Sequence, residues 1–373
     1  MQTKFHLGRA MMKILALAMW FAVLAAGPFA GAVAFDHPGV ARRALERHIV
    51  PAYERLNTEA AKHVTAIAAL CQTPSAANLE AARAGFKSAL IAWGHIEHIR
   101  FGPISEQNRY DSMLFWPDPR GISRRHITRA LSQQDPDVLV PESLATKSVA
   151  LQGFTALDTL LFSSESDALK QPGAAGQFRC GYARALAVNI ERIAQAVREA
   201  WSNSSAFAHV WLHPGPGNPA FLKPEETTHA LGQAYLMGLE NVRNIRLGGP
   251  LGFKDRNARP LTPVVPYSGL VLDLAIADIE GLRDLLLGSG LAEASRDGEP
   301  AHTVMQSVTG ELQMMIPNLR KAAAMSPKPF QDANARNTLI LLGYPLKNTH
   351  DTVLQYLKQE AGLTMGFNSL DGD

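Results

Sequence analysis

Apolar residues recur along most of the chain at the spacing of an α-helix. In the segment LQGFTALDTLLF, Phe154, Leu157 and Leu161 form one apolar stripe at positions i, i+3 and i+7. No alternating run rich in Val, Ile, Thr or Tyr indicates a sheet strand. The pattern therefore predicts an all-α fold, with helices over residues 36–70 (interrupted at Pro51), 73–101, 124–134, 141–149, 151–162, 177–201, 224–247, 268–288, 299–325 and 329–361.

Glycine and proline divide this helical pattern into two halves. The segment HPGPGNP, residues 213–219, is the strongest helix-breaking stretch of the chain. We therefore expect an N-terminal helical bundle over residues 35–212 and a C-terminal helical bundle over residues 213–373. An irregular segment over residues 104–123 is rich in aromatic residues, Pro and Asp, and loops of this length are often functional.

The first 34 residues have the features of a secretory signal peptide. Three basic residues precede the apolar run ILALAMWFAVLAA, and Ala32-Val33-Ala34 offers a cleavage site. An uncleaved membrane anchor is the alternative, but the apolar run is short for a membrane span. We therefore expect residues 1–34 to be removed and the protein to reach the periplasm, with no membrane span after cleavage.

Net charge argues against a nucleic-acid partner. The whole chain carries a formal charge of +2, and removal of three basic residues with residues 1–34 leaves −1.

Both cysteines, Cys71 and Cys180, remain after cleavage. In an exported protein they predict one disulfide, with two free buried thiols as the alternative.

Two polar groups on the predicted helices need an explanation. Asp158 lies beside the apolar stripe, three residues after Thr155, and a buried carboxylate is costly unless it is paired, hydrogen-bonded or bound to a metal. Asp158 therefore faces either solvent or a specific partner. In the helix containing WGHIEHIRFGP, Trp93, Glu97 and Arg100 share one face, where Glu97 and Arg100 can form an ion pair.

Two histidine pairs have spacings that permit metal binding but are weaker candidates. His95 and His98 are three residues apart, and His209 and His213 are four apart. The sequence contains no HExxH, GxSxG or P-loop motif, so no local motif supports nucleophilic or nucleotide chemistry.

Several segments in order resemble the imelysin-like family, which is also classed as M75 peptidase-like and overlaps iron-regulated periplasmic proteins. They are W…E.IRFGP, FWPDPRG, QGFTALDTLLF, RCGYARALA, LGGPLGF and GFNSLDGD, spread over residues 36–373. The resemblance implies two helical bundles with a site in the cleft between them.

The family's G-x-H-x-x-E motif, which is thought to hold a metal, begins here at Gly153. Thr155 stands at the histidine position and Asp158 at the glutamate position. A site of Thr155, Asp158 and Glu97 would offer only oxygen ligands, which favour hard ions and bind transition metals weakly. We therefore expect either a divalent ion (iron, zinc, copper or calcium) on Glu97 and Asp158, or no metal, with Arg100 neutralising the carboxylates.

Three further residues are candidates for the same cleft. Asp111 and Asp118 lie in the aromatic loop, where turn formation is the simpler role. Ser268 falls where the family has a serine near the cleft, and an N-cap role is its alternative. The predicted cleft therefore comprises Trp93, Glu97, Arg100, Asp111, Asp118, Thr155, Asp158 and Ser268, with no catalytic residue assigned.

Three functions are compatible with these features. The first is a periplasmic binding protein that takes a metal ion or metal-loaded small ligand in connection with iron or copper uptake. The second is a structural or partner-binding protein that docks to an envelope protein and retains a degenerate site. The third, a metallopeptidase, is disfavoured because zinc catalysis normally needs three protein ligands and a general base.

Overall fold

The architecture follows from a computed structural model, which describes residues 34–118, 120–202, 204–252, 260–294 and 299–365. Helices make up nearly all regular structure, and no strand occurs in these ranges, which confirms the predicted all-α class. None of the helices in these ranges has the length and hydrophobicity needed to cross a bilayer. Residues 1–33 of the proposed signal peptide and the terminal segment GFNSLDGD lie outside the described residues.

Fourteen α-helices are numbered here in chain order across the described residues. They are α1 (His37–Ala44), α2 (Val50–Gln72), α3 (Ala76–Gly94), α4 (Arg109–Met113), α5 (Ile122–Gln133), α6 (Pro141–Thr146), α7 (Gly153–Phe162), α8 (Ala174–Ala200), α9 (Ala206–Leu212), α10 (Pro224–Glu240), α11 (Val271–Ser289), α12 (Glu299–Met325), α13 (Ala333–Leu341) and α14 (Gly343–Gln359). The short turns between them are π-helical over Leu45–Ile49 and Asn241–Gly248, 3₁₀ over Gly102–Asn108, Pro136–Leu139, Val149–Leu151 and Ser164–Lys170, and α-helical over Gly249–Leu251.

Two groups of helices supply the core. In the first half, α2 packs against α3 and α8, and α7 packs against α3 and α8. In the second half, α12 packs against α11, α13 and α14, while α10 packs against α14. Helices α3 and α11 join the two groups, and the described residues from Asp36 onward form one compact unit. The proposed boundary between residues 212 and 213 stays a prediction.

The first helix belongs spatially to the second half. Helix α1 packs against α10 and α11. His37 Nδ1 lies 3.0 Å from Thr228 Oγ1, and Arg43 Nε donates a 2.9 Å hydrogen bond to the carbonyl oxygen of Ser289. The π-helical turn Leu45–Ile49 connects α1 directly to α2. Pro51 therefore lies in the first turn of α2 and does not break the helical run.

The predicted disulfide is present. Cys71 at the end of α2 is bonded to Cys180 in the first half of α8, with a Cα–Cα distance of 5.5 Å. It fastens the two long helices that form the largest contact of the first half.

Helix α3 ends earlier than the hydrophobic pattern predicts. The expected helix over 73–101 stops at Gly94, and residues 95–98 form a turn. The helix ends at a close crossing with α11: a Cβ on Gly94 would lie 2.9 Å from the Cβ of Ala277, and one on Gly281 would overlap the carbonyl of His95. Glu97 and Arg100 therefore lie beyond the helix, and the expected shared helical face does not exist.

Candidate functional site

The turn after α3 carries Glu97 into the contact between the two halves. Farther along, Phe101 packs its ring 5.3 Å from Trp211 and 5.9 Å from Trp201, measured between centroids. Both tryptophans are fully buried. The turn is therefore fixed at both ends, by the α3–α11 crossing and by this aromatic cluster, so that the position of Glu97 is set by packing.

Glu97 belongs to a buried ion cluster that the sequence analysis did not identify. Arg246, in the π-helical segment Asn241–Gly248, donates from Nη2 to Glu97 Oε1 and from Nε to Asp278 Oδ2, the latter over 3.0 Å. Asn241 Nδ2 adds a 2.5 Å hydrogen bond to Glu97 Oε1. The two acids and Arg246 are each 3% exposed or less. Glu97 is thus paired with Arg246 instead of with Arg100.

The two carboxylates of this cluster share one cation. Burial raises the pKa of Asp278 well above its ordinary value, and the neighbouring Glu97 carboxylate raises it further. Protonated Asp278 can donate a hydrogen bond to Glu97, which accounts for the otherwise unpartnered Glu97 Oε2 and Asp278 Oδ1. The space beside them is too small for a water molecule. The cluster is therefore charge-balanced by Arg246 and one proton.

A second group of residues, the donor cluster, consists of Trp93, Arg100 and Tyr110. The Arg100 guanidinium lies 4.7 Å from the Tyr110 ring centroid, and the Trp93 ring lies 5.4 Å from it. Trp93 Nε1 and Arg100 Nε are buried N–H donors without an acceptor among the described residues. Burial raises the pKa of Tyr110, so its hydroxyl stays protonated. The cluster therefore presents hydrogen-bond donors and one positive charge.

Asp158 is completely buried, and its partners belong to the turn at Tyr267 and Ser268. Its Oδ2 and Oδ1 accept hydrogen bonds from the backbone N–H groups of Tyr267 and Ser268, each over 2.9 Å. Burial raises the pKa of Asp158 to about 6, although a hydrogen bond from the Ser268 side chain and these two backbone hydrogen bonds act in the opposite direction. The expectation that Asp158 points at a specific partner is therefore met by the turn that leads into α11.

The first turn of α7 lies against α4. Gly153 has φ +69°, and a Cβ there would overlap the carbonyl of Met113, so the close approach requires glycine. Thr155, two residues on, is 7% exposed, and its Oγ1 has no hydrogen-bond partner among the described residues. Helix α4 also carries Tyr110 and so connects this turn to the donor cluster.

Of the three remaining predicted residues, Ser268 alone is brought to Asp158. Asp118 accepts hydrogen bonds from the N–H groups of Ile122 and Ser123 at the start of α5, and thus caps that helix. Asp111 is exposed on α4. Ser268 is not an N-cap, because α11 begins at Val271. Its Oγ donates to the carbonyl oxygen of Val265 over 3.3 Å, and its side chain also interacts with Asp158.

The histidine pairs are engaged within the protein. His98 Nε2 lies 2.9 Å from the Nε2 of His48, and burial lowers the pKa of both rings, that of His48 to about 3. His95 lies 3.4 Å from Glu280. His209 and His213 stack with ring centroids 4.2 Å apart, and His213 Nδ1 lies 3.0 Å from the carbonyl oxygen of His209.

These residues do not fit a metal ion held by Glu97 and Asp158. Both Asp158 oxygens accept backbone hydrogen bonds, and Glu97 Oε1 is occupied by Arg246 and Asn241. The Thr155 hydroxyl is a poor neutral ligand. Across the described residues, no three His, Cys, Asp or Glu side chains are grouped so that they could hold a metal. The acids therefore serve internal pairing.

Sequence reasoning missed Arg246, Asp278, Asn241 and Tyr110. A signal for Asp278 was available, because it lies in the apolar segment VLDLAIADIEGL just as Asp158 lies in LQGFTALDTLLF. No local pattern indicates the pairing of Arg246, since its partners lie 149 and 32 residues away in the chain.

Known proteins match this chain over different lengths. The curated Iron-regulated protein A of Synechococcus elongatus is 25% identical over 210 residues, which are 56% of this chain and 53% of that protein. This chain thus spans about half the length of that relative. The crystal structure of an imelysin-like protein from Psychrobacter arcticum 273-4 superposes with a TM-score of 0.71 at 18% identity, and the match covers 89% of this chain and 97% of the other.

A second crystal structure shares the fold. It is a protein from Parabacteroides distasonis ATCC 8503 assigned as an iron-regulated protein A precursor, with a TM-score of 0.70 at 14% identity over 86% of this chain and 94% of the other. The Peptidase_M75 family model, described as Imelysin, matches residues 49–342, which is more than half of the chain. This chain belongs to the imelysin family.

Proposed function

We propose that this protein is exported and acts as a non-catalytic binding protein in iron handling, and that its site takes an oxygen-rich anionic ligand, such as a metal-loaded chelate, in preference to a bare ion. The N-terminal 34 residues support export. The names of two similar proteins, both iron-regulated protein A, support the link to iron.

The single observation that carries the choice of ligand is the donor cluster. Trp93 Nε1 and Arg100 Nε are buried N–H donors that find no acceptor in the part of the chain that the structure describes, and both side chains pack against the Tyr110 ring. A buried donor without an acceptor costs about 1–3 kcal/mol, which a ligand oxygen would recover on binding. Carboxylate oxygens of a chelating ligand match these donors, whereas a bare cation would be repelled by Arg100.

The charges near the site favour the same ligand. The charged groups that act on Tyr110 are Arg100, Glu97, Arg246 and Asp278. With Asp278 protonated, they carry one net positive charge. An anionic ligand is therefore attracted to the site and a free divalent cation is not.

Calorimetry on the mature protein with three probes tests this proposal: ferric citrate, citrate alone and a ferrous salt. We expect ferric citrate to bind, and Arg100→Gln to weaken it by about tenfold, since a hydrogen bond to a charged group is worth about 1.5–3 kcal/mol. Arg100→Lys keeps the charge but loses the Nε donor and should also weaken binding. Arg124→Gln, an exposed charge change on α5, is the control. Tighter binding of the ferrous salt, unaffected at Arg100, would contradict the proposal.

A partner-binding role is the second candidate, and it is favoured by the use of Asp158 and Glu97 in internal bonds. If the protein acts only by docking to an envelope protein, that partner should co-purify after chelation and with Arg100→Gln. None of the three probes would then bind.

A further inference from the structure

A pocket lies between the end of α10 and the start of α14, far along the chain from the motif residues Gly153, Thr155 and Asp158. It is a cavity of about 260 Å³. Arg243 and Asn244, from the π-helical segment, form one wall, and Lys347, His350 and Asp351 of α14 form the other. Neither the family motif nor the donor cluster includes any of these residues.

The acids around this pocket are neutralised by the residues beside them. His350 Nε2 lies 3.1 Å from Glu240 Oε1, and His350 Nδ1 lies 3.2 Å from Asp351 Oδ1. The hydrogen bond to Glu240 raises the pKa of His350 against the effect of burial, and Asp351 raises it further. Lys347 forms an ion pair with Asp351.

Arg243 is the cation of this pocket without a counter-charge. It is half-buried, and in the described ranges it has neither an ion pair nor a side-chain hydrogen bond, in contrast to Arg246 three residues later. The neighbouring Asn244 amide likewise has no side-chain partner in those ranges and lines the same cavity. A planar guanidinium beside an amide can hold two oxygens of one carboxylate or phosphate group.

A metal ion fits this pocket poorly. The nearest acids are bonded to His350 and Lys347, and an added cation would meet the uncompensated positive charge of Arg243. The π-helical segment explains how one short stretch serves two places, since Asn241 and Arg246 bind the buried acids while Arg243 and Asn244 line the pocket. π-helical turns are rare and are frequent at functional sites.

We propose that the Arg243 pocket binds a small oxyanion through Arg243 and Asn244, while Lys347 and His350 hold the acids Asp351 and Glu240 and so limit their repulsion of the ligand. The shared chemistry is a carboxylate or phosphate group, and the size of the cavity restricts the ligand to a small molecule. This site is separate from the ligand site of the proposed function, because it uses none of the donor-cluster residues.

Calorimetric titration of the mature protein at constant ionic strength, with inorganic phosphate in one arm and succinate in the other, tests the proposal. We expect one of the two to bind, and the arm that responds identifies the source of the oxyanion. Arg243→Gln should weaken that binding by about tenfold or more, because a charge-assisted pair of hydrogen bonds is lost. Arg124→Gln, an exposed change of the same charge, should leave it unaltered.

Chemical shifts of the Asn244 side-chain amide report whether the pocket itself responds. They should move on titration of the wild type and remain still in Arg243→Gln. Absence of binding in both arms, or equal weakening by Arg243→Gln and Arg124→Gln, would overturn the proposal. Arg100→Gln should not affect this binding, so failure of the donor-cluster site and failure of this pocket give different results.

Discussion

The backbone N–H of Ser268 donates a 2.9 Å hydrogen bond to the Asp158 carboxylate, across 110 residues of sequence. Tyr267 donates to the other oxygen of the same group. The motif acid of α7 thus holds the turn that leads into α11, and through it ties the first half of the chain to the second.

Replacement of Asp158 should therefore be costly. Asp158→Ala leaves two backbone N–H groups without acceptors, and we expect it to lower the free energy of unfolding by about 2–4 kcal/mol. Asp158→Asn keeps one acceptor oxygen and should lose less. Urea denaturation followed by circular dichroism measures both, with Asp111→Ala, at an exposed position, as the control. An equal loss in Asp111→Ala and Asp158→Ala would contradict this role.

Replacement of Arg246 should lower the free energy of unfolding more than replacement of an exposed arginine. Arg246→Met leaves Glu97 as an unpaired buried charge, and we expect a loss of about 3–5 kcal/mol. The double variant Arg246→Met, Glu97→Gln should lose less than the sum of its single variants, because neither partner is then left charged alone.

The control for Arg246 is Arg192→Met, whose ion pair with Glu142 is exposed on both sides. A loss of about 1 kcal/mol or less is expected there. Strictly additive losses for Arg246 and Glu97 would show that the buried pair is not coupled.

The close crossing of α3 and α11 should not tolerate a side chain at Gly281. A Cβ at this position would collide with the backbone of His95, so Gly281→Ala should destabilise by about 1–3 kcal/mol and shift the turn that carries Glu97. Gly310→Ala in α12 is the matched control, because nothing lies within 4 Å of the added Cβ. There, alanine should stabilise the helix by about 0.5–1 kcal/mol. Thermal unfolding would reveal the opposite signs, and stabilisation by both variants would disprove the crossing.

Buried His63 should make the protein sensitive to acid. Burial lowers the pKa of His63 from 6.5 to about 4, so the unfolded chain takes up the proton first as the pH falls. The stability that depends on the neutral ring is present above pH 6.5 and is lost progressively down to about pH 4, with a maximum of about 3 kcal/mol.

Denaturation midpoints between pH 7 and pH 4 check this prediction in His63→Phe, which should show a shallower decline than the wild type. His213→Gln changes an exposed histidine and should follow the wild-type curve. Parallel curves for all three proteins would exclude His63 as a source of the pH dependence.

Much of the fold could be read from the sequence, because helical periodicity and Gly-Pro breaks are local signals. The end of α3 could not be read in this way, since the apolar pattern continues through Ile96 and Ile99 while the helix stops at Gly94, where α3 crosses α11. Tertiary packing there outweighs local helix preference.

The candidate site was only partly predictable for a related reason. Burial of Asp158 followed from its place in an apolar stripe, but its acceptor role depends on a backbone turn 109 residues away. The same logic applied to Asp278 would have identified the second buried acid. The pairing of Glu97 with Arg246 needs knowledge of which helices meet, and a single sequence does not supply it.

The docking of α1 on the second half also affects how the chain can fold. His37 is made early in synthesis, yet its partner Thr228 follows 191 residues later, and the partner of Arg43 follows 246 residues later. The native contacts of α1 can therefore form only after most of the polypeptide has been synthesised. The amino-terminal helix cannot reach its native packing first and the rest of the chain afterwards.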